Sequence, residues 1–384
     1  MANLDTATRD AFLADFRAAN HAVSFGVTAS RAAAANTHWS LWTDFCSQLA
    51  VDPLLQDVED PVVLLQVYLH RYRTGVIAPR GRPVRARTAE DALRSVGQTF
   101  SAMGAQDPRQ TSQGHMDFRL TRQISYYKKQ DPPPDRVKPV PVAVLLWILH
   151  AAAISPHSGT QAIADMIALA FFFLLRPGEY TATPSDTTPF RIADVRVAAG
   201  GRYMDPLTAS DAELDTATFV SLTFTTQKNG VRGEVIGLGR SGHPDLCPVA
   251  AIVRRIKHLR TYGALPDTPL SVYFEHGAWK RVSPADITAV LRTAVLALGP
   301  ATLGFTPADI SARCLRAAGA MALLCAQVDT DMIRLLGRWR SDEMLRYLHL
   351  QAEPVMRHFA QRMLHGGNFV LHPNNDVPQV PGPH

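Results

Sequence analysis

The stretch "QDPPPDRVKPVPV", residues 130–142, holds five prolines in thirteen positions. Proline has no backbone N–H to donate and its ring collides with the preceding helical turn, so no helix runs through this stretch. A semi-rigid linker is expected over residues 131–141. At 384 residues the chain exceeds one ordinary hydrophobic core, and the linker is where two domains are expected to meet.

On its N-terminal side the apolar pattern is helical throughout. In "SRAAAANTHWSLWTDFCSQLA" (30–50), Trp39, Trp42 and Phe45 recur at helical spacing, and "DPVVLLQVYLHRY" (60–72) repeats the pattern. A third helix is predicted from Thr88, where "TAED" supplies a capping hydroxyl with an acidic residue three positions on. Residues 30–130 therefore read as one helical domain. Residues 1–29 carry few bulky apolar side chains and are expected to form a flexible arm.

The C-terminal side is mixed. "VAVLLWIL" (142–149) and "MIALAFFFLL" (166–175) predict buried helices over 142–154 and 160–175, the second stopped by Pro177. Both runs are too short for a membrane span. "FRIADVRV" (190–197) reads as one strand, and "TFVSLTFTTQ" (218–227) alternates Val220, Leu222 and Phe224 with polar neighbours, as a half-buried strand does. Asn229-Gly230 is a hairpin signal, so "VRGEVIGLG" (231–239) is its expected partner, with Lys228 at the tip. From "CPVAAIVRRIKHL" (247–259) to Met363 the pattern is helical again, broken at 299–307 and at Gly337. The expected fold class is mainly α with a small antiparallel β-sheet. A second domain spans 142–365, and the Pro- and Asn-rich 366–384 is a disordered tail.

Charge is unevenly placed. Between Arg71 and Val140 there are fourteen Lys and Arg against six Asp and Glu, in a chain whose net charge is only +5, so the remainder is net acidic. A regional surplus of this kind fits a nucleic-acid footprint. The four cysteines form no C-x-x-C pair, which points away from a disulfide framework or a cysteine zinc site. "MANLDTATRD" lacks the charged and apolar regions of a signal peptide. An intracellular protein is expected.

Several basic residues resist a bland reading. Arg176 follows "FFFLL" at the end of what should be the most buried helix, where a charge needs a partner, and Glu179 can supply one. Arg313 and Arg316 stand three apart in the Ala-rich "SARCLRAAGAMALL" (311–324), so they are expected to share a helical face, where like charges repel unless an anion lies between them. "LLGRWRSDEMLRYLHL" (335–350) crowds three arginines and Trp339 into the nine positions before Tyr347. Met332, Leu335 and Leu336 read as the apolar face of the preceding helix. His115, His157, His243 and His349 read as surface residues.

In their order these stretches resemble the tyrosine recombinase (phage integrase) family. "LRPGE" matches the family's first arginine motif at Arg176 and Glu179, Lys228 its hairpin lysine, and "RCLR" its second arginine box with Arg316. "LLGR" matches the L-G-H/W motif at Arg338, and Tyr347 matches the nucleophile nine residues on. The motifs span about residues 140–365, and "LCPVAAI" with "GRWRSDEMLRYLH" looks most like integrases of eukaryotic mobile elements, including the cryptons. The resemblance implies a helical core-binding domain joined to an α+β catalytic domain. It implies double-stranded DNA as partner, a homo-tetramer on DNA and, for a eukaryotic source, a nuclear address.

It also implies a chemistry. A phenol with a pKa near 10 is a weak nucleophile at neutral pH. Arg176 and Arg316 would hold the non-bridging oxygens of the scissile phosphate, Lys228 would protonate the departing 5′ oxygen, and Tyr347 would end in a 3′-phosphotyrosyl bond. No metal and no cofactor is then expected. Arg313 stands where the family usually has histidine and cannot act as a base. Arg338 stands where it has His or Trp, with Trp339 one place later. Arg80, Arg82, Arg85 and Arg87 ahead of the Thr88 helix, with Lys128 and Lys129 beside the linker, are expected to contact the DNA backbone. Two other readings share these motifs: a domesticated integrase that binds DNA without cutting it, and a type IB topoisomerase-like enzyme.

Overall fold

The computed structural model describes residues 5–27, 29–132, 137–183, 188–225 and 233–339, together with Leu345 and Gln361. Lys228, Asn229-Gly230 and Tyr347 lie outside the described residues, as do Arg340 to Met344. The chain divides into two compact units, Met1–Pro134 and Asp135–His384. The division falls within the proline-rich stretch.

The first unit is helical: α1 (Thr6–Phe25), α2 (Ala29–Gln48), α3 (Pro61–Thr74), α4 (Ala86–Ala102) and α5 (Phe118–Gln130). The arm expected over residues 1–29 is thus corrected in its secondary structure, since α1 fills most of it behind an Asp5 cap. Trp42, Phe45, Leu65, Tyr68, Leu93 and Phe100 form the centre of the core. The Trp42 and Tyr68 rings meet edge to face at 5.2 Å, and the indole N–H is satisfied by the Pro53 carbonyl at 2.9 Å.

Helix α4 starts at Ala86, two residues before the predicted Thr88 cap, and the reason is long-range. The Asp131 carboxylate accepts the Ala86 N–H at 2.8 Å and pairs with Arg73 at 2.6 Å. The first turn of α4 therefore receives its anionic partner from the chain just beyond α5, a link that no local signal carries.

The second unit opens with α6 (Val142–Ala153), α7 (Ser158–Phe172) and the short α8 (Pro177–Tyr180). Then come β1 (Val195–Ala199), β2 (Arg202–Met204), α9 (Asp211–Asp215), β3 (Phe219–Phe224) and β4 (Glu234–Gly239). They form an antiparallel sheet in the order β2-β1-β3-β4. Val220, Leu222 and Phe224 are buried as the alternation predicts, and Leu222 faces Ile236 across the β3–β4 pair. "FRIADVRV" is only partly strand, because Ile192–Asp194 is a 3₁₀ turn closed by the Asp194 carboxylate on the Arg191 N–H at 2.8 Å.

After α10 (Pro248–Thr261) the expected helical run is interrupted by a hairpin, β5 (Val272–Glu275) and β6 (Ala278–Arg281). Helices α11 (Pro284–Leu298), α12 (Pro300–Leu303), α13 (Cys314–Cys325) and α14 (Thr330–Leu336) follow. In α14 the buried residue is Ile333, whereas Met332 and Leu335 face solvent, which corrects the expected apolar face. The sheet, α6, α7, α10 and α11 close over one core. Among the described residues no helix is long and apolar enough to cross a membrane.

Candidate active site

Helix α7 ends at Phe172, earlier than Pro177 would require, because Leu174 takes a left-handed conformation (φ +49°) that reverses the backbone. For a branched residue that conformation costs about 1–2 kcal/mol, so the surroundings must hold it. The reversal leaves the Phe173 and Leu174 carbonyls without helical partners. Arginines from two distant stretches satisfy them.

Arg316, in the first turn of α13, donates one N–H to the Leu174 carbonyl and another to the Gly337 carbonyl. Arg338 donates to Phe173 and Leu174, each at 3.1 Å, and to Leu336 at 3.0 Å. The same guanidinium reaches the Glu179 carboxylate at 3.0 Å. On the other Glu179 oxygen lies Arg176, also at 3.0 Å, and the Arg176 N–H closes the short α8 turn on that carboxylate at 2.8 Å. Arg176, Arg316 and Arg338 thus converge on one carboxylate and one carbonyl.

Two rings complete the cluster. Phe224, the last residue of β3, lies 3.9 Å beneath the Arg338 guanidinium, and Trp339 covers Arg316 at 4.1 Å. The aromatic faces supply the negative quadrupole that a buried cation needs where no oxygen is available. Arg316 and Arg338 are buried, at 3% and 5% exposure, and burial pulls the Arg338 pKa below its ordinary value against the opposing pull of Glu179. The guanidinium nevertheless stays charged at any accessible pH. Arg176 is different: a quarter of its side chain reaches solvent.

Arg313 and Arg316 do not share a face. Helix α13 begins at Cys314, which leaves Arg313 exposed at the N-cap while Arg316 points inward. Tyr180 fixes the two arginine stretches to each other by donating its hydroxyl to the Ala312 carbonyl at 3.1 Å. Burial pushes that phenol pKa far up, so Tyr180 is a strut and not a nucleophile. The pairing of Glu179 with Arg338 and the Phe224 ring under it went unpredicted, because nothing local connects these residues.

In the first unit Arg80, Arg82, Arg85 and Arg87 are exposed, as are Lys128 and Lys129. The Asp131 link draws the end of α5 to the start of α4, and Lys128 pairs with Glu90 at 2.8 Å, so the two basic stretches form one region. The Ala86 N–H at the α4 N-terminus is taken by the Asp131 carboxylate.

No protein-family model matches the chain, and no curated protein matches it. Solved structures do. The chain is similar to site-specific recombinases and integrases. The XerH site-specific recombinase bound to its difH substrate in a pre-cleavage complex is 12% identical over 84% of this chain and 74% of that one, with a TM-score of 0.47. The Tn1549 transposon integrase in complex with transposon right end DNA is 12% identical over 85% and 99%, at 0.46. A lambda integrase dimer bound to a COC′ core site is 15% identical over 82% and 88%, at 0.45.

Proposed function

We propose that the chain is a DNA strand-cleaving and rejoining enzyme of the tyrosine recombinase kind. The observation that carries this reading is the convergence of Arg176, Arg316 and Arg338, from three separated motifs, on Glu179 and the Leu174 carbonyl. Three cations gathered in one place serve a substrate with a concentrated negative charge, and a phosphodiester in its pentacoordinate transition state is such a substrate.

In the proposed reaction the Tyr347 phenol oxygen attacks the scissile phosphorus, the bond to the 5′ oxygen breaks, and Lys228 gives that oxygen a proton. The phenolic proton passes to water, since Arg313 cannot accept one. A 5′ hydroxyl then reverses the step, with no change in the number of phosphodiester bonds. In this reading Arg176, Arg313 and Arg316 would contact the phosphate, Arg316 after releasing the Leu174 and Gly337 carbonyls that it holds. The basic region around α4 and α5 is the proposed backbone contact, and strand exchange between two duplexes calls for four subunits.

A second reading has its own support. Arg316 and Arg338 already spend their donors on carbonyls and on Glu179, as they would in a protein that only holds DNA. Incubation with supercoiled and linear DNA, then denaturation, distinguishes the two. Covalent complexes lost in Tyr347→Phe mark the enzyme. Salt-sensitive binding that is identical in both proteins, with no covalent complex on any DNA, marks the binding protein.

A further inference from the structure

Away from the arginine cluster, the β5–β6 hairpin meets the start of α7, and three potential metal ligands gather there. His157 Nδ1 lies 3.8 Å from Glu275 Oε1, His276 Nε2 lies 4.0 Å from Glu275 Oε2, and the three donor atoms fall within 4.8 Å of one another. Both imidazoles are exposed, so the two rings are free to turn, and Glu275 is largely covered.

The two histidines are placed in a way their local structure does not call for. His276 and Gly277 take φ of +53° and +77°, the pair of left-handed conformations of a two-residue hairpin turn. Asn, Asp or Gly is favoured at the first of these positions, and histidine tolerates it without being required there. His157 is the N-cap residue of α7 but makes no side-chain cap. Glu275 supplies the carboxylate instead, accepting the Gly159 N–H at 3.3 Å. Lys280 pairs with the same carboxylate at 3.1 Å.

We propose that His157, Glu275 and His276 bind a divalent transition-metal ion of the zinc class, pinning the hairpin to α7. Two imidazoles and one carboxylate suit Zn²⁺, Ni²⁺ or Cu²⁺ and are a poor set for Mg²⁺, which demands oxygen ligands. Bonds of about 2.0–2.2 Å require the donors to close to roughly 3.3 Å, a shift that side-chain rotation of the two histidines supplies. Lys280 competes for the same carboxylate and must swing away when the ion enters.

Titration of the full chain with Zn²⁺ by calorimetry, beside Mg²⁺, tests this. One Zn²⁺ per chain is expected at this site, with no heat from Mg²⁺. His276→Asn keeps a residue that tolerates the left-handed turn but removes a ligand, and it should bind at least about tenfold more weakly. His157→Asn should do the same, while Lys280→Met should bind more tightly than the wild type. Zinc should raise the melting temperature of the wild type and not of either histidine variant. Absence of zinc binding, or undiminished affinity and stoichiometry in both histidine variants, overturns the proposal.

Discussion

Arg338 and Glu179 are 159 residues apart in sequence and 3.0 Å apart in space, both buried. Removing one partner of such a pair leaves a charge without compensation, at a cost of about 3–5 kcal/mol. Glu179→Ala should therefore lower the stability of the second unit by that order in urea unfolding. Combining Glu179→Ala with Arg338→Met should recover part of the loss. Simple addition of the two single losses would show that the residues act independently.

Gly319 faces α7 so closely that a methyl group there would stand 2.2 Å from the Phe171 carbonyl oxygen. Backbone cannot yield as a side-chain tip does, so Gly319→Ala should cost about 1–3 kcal/mol. It should also displace Arg316, one turn earlier on α13. Unfolding and covalent-complex assays on the same variant should fall together, and a stable Gly319→Ala would contradict the close approach.

Asp131 joins the proline-rich stretch to α4 by accepting the Ala86 N–H and pairing with Arg73. Asp131→Ala should destabilise the first unit by about 1–2 kcal/mol, as loss of a helix cap does. Amide exchange should quicken in the first turn of α4 before it does in α2 or α3. Uniform acceleration across all of the unit would mean that the contact is not a local cap.

His258 Nε2 accepts the Phe274 N–H at 3.1 Å, which holds β5 against α10. Burial, and then the Arg255 charge, lowers the His258 pKa from its ordinary value of 6.5. The unfolded chain therefore binds the proton more readily, and stability is lost as pH falls through about 6.5 toward the lower folded value. Unfolding measured across that range should show the loss in the wild type and a smaller one in His258→Gln.

Periodicity reveals what neighbours along the chain decide. The proline break, the alternation of Val220, Leu222 and Phe224 and the Arg176–Glu179 partnership were all legible, because each is written within a few residues. The start of α4 was not, since its cap comes from Asp131. The β5–β6 hairpin was hidden because its turn is His276-Gly277 in place of the stronger Asn-Gly signal. Arg313 and Arg316 have the right spacing for one face, but a helix that begins at Cys314 separates them. Glu179 serves Arg338 as well as Arg176, a fact that emerges only when α13, α14 and the sheet close around the Leu174 turn.

The central claim is a phosphotyrosyl bond at Tyr347. Full-length protein incubated with supercoiled plasmid and pooled genomic DNA, then denatured, digested and read by mass spectrometry, tests it directly, with Tyr347→Phe and Arg176→Ala alongside. Nucleotide mass on the peptide bearing Tyr347, absent from Tyr347→Phe and much reduced in Arg176→Ala, is the predicted result. Unmodified Tyr347 in protein that binds the same DNA tightly, with the trapped fragments carrying no breaks, would contradict it.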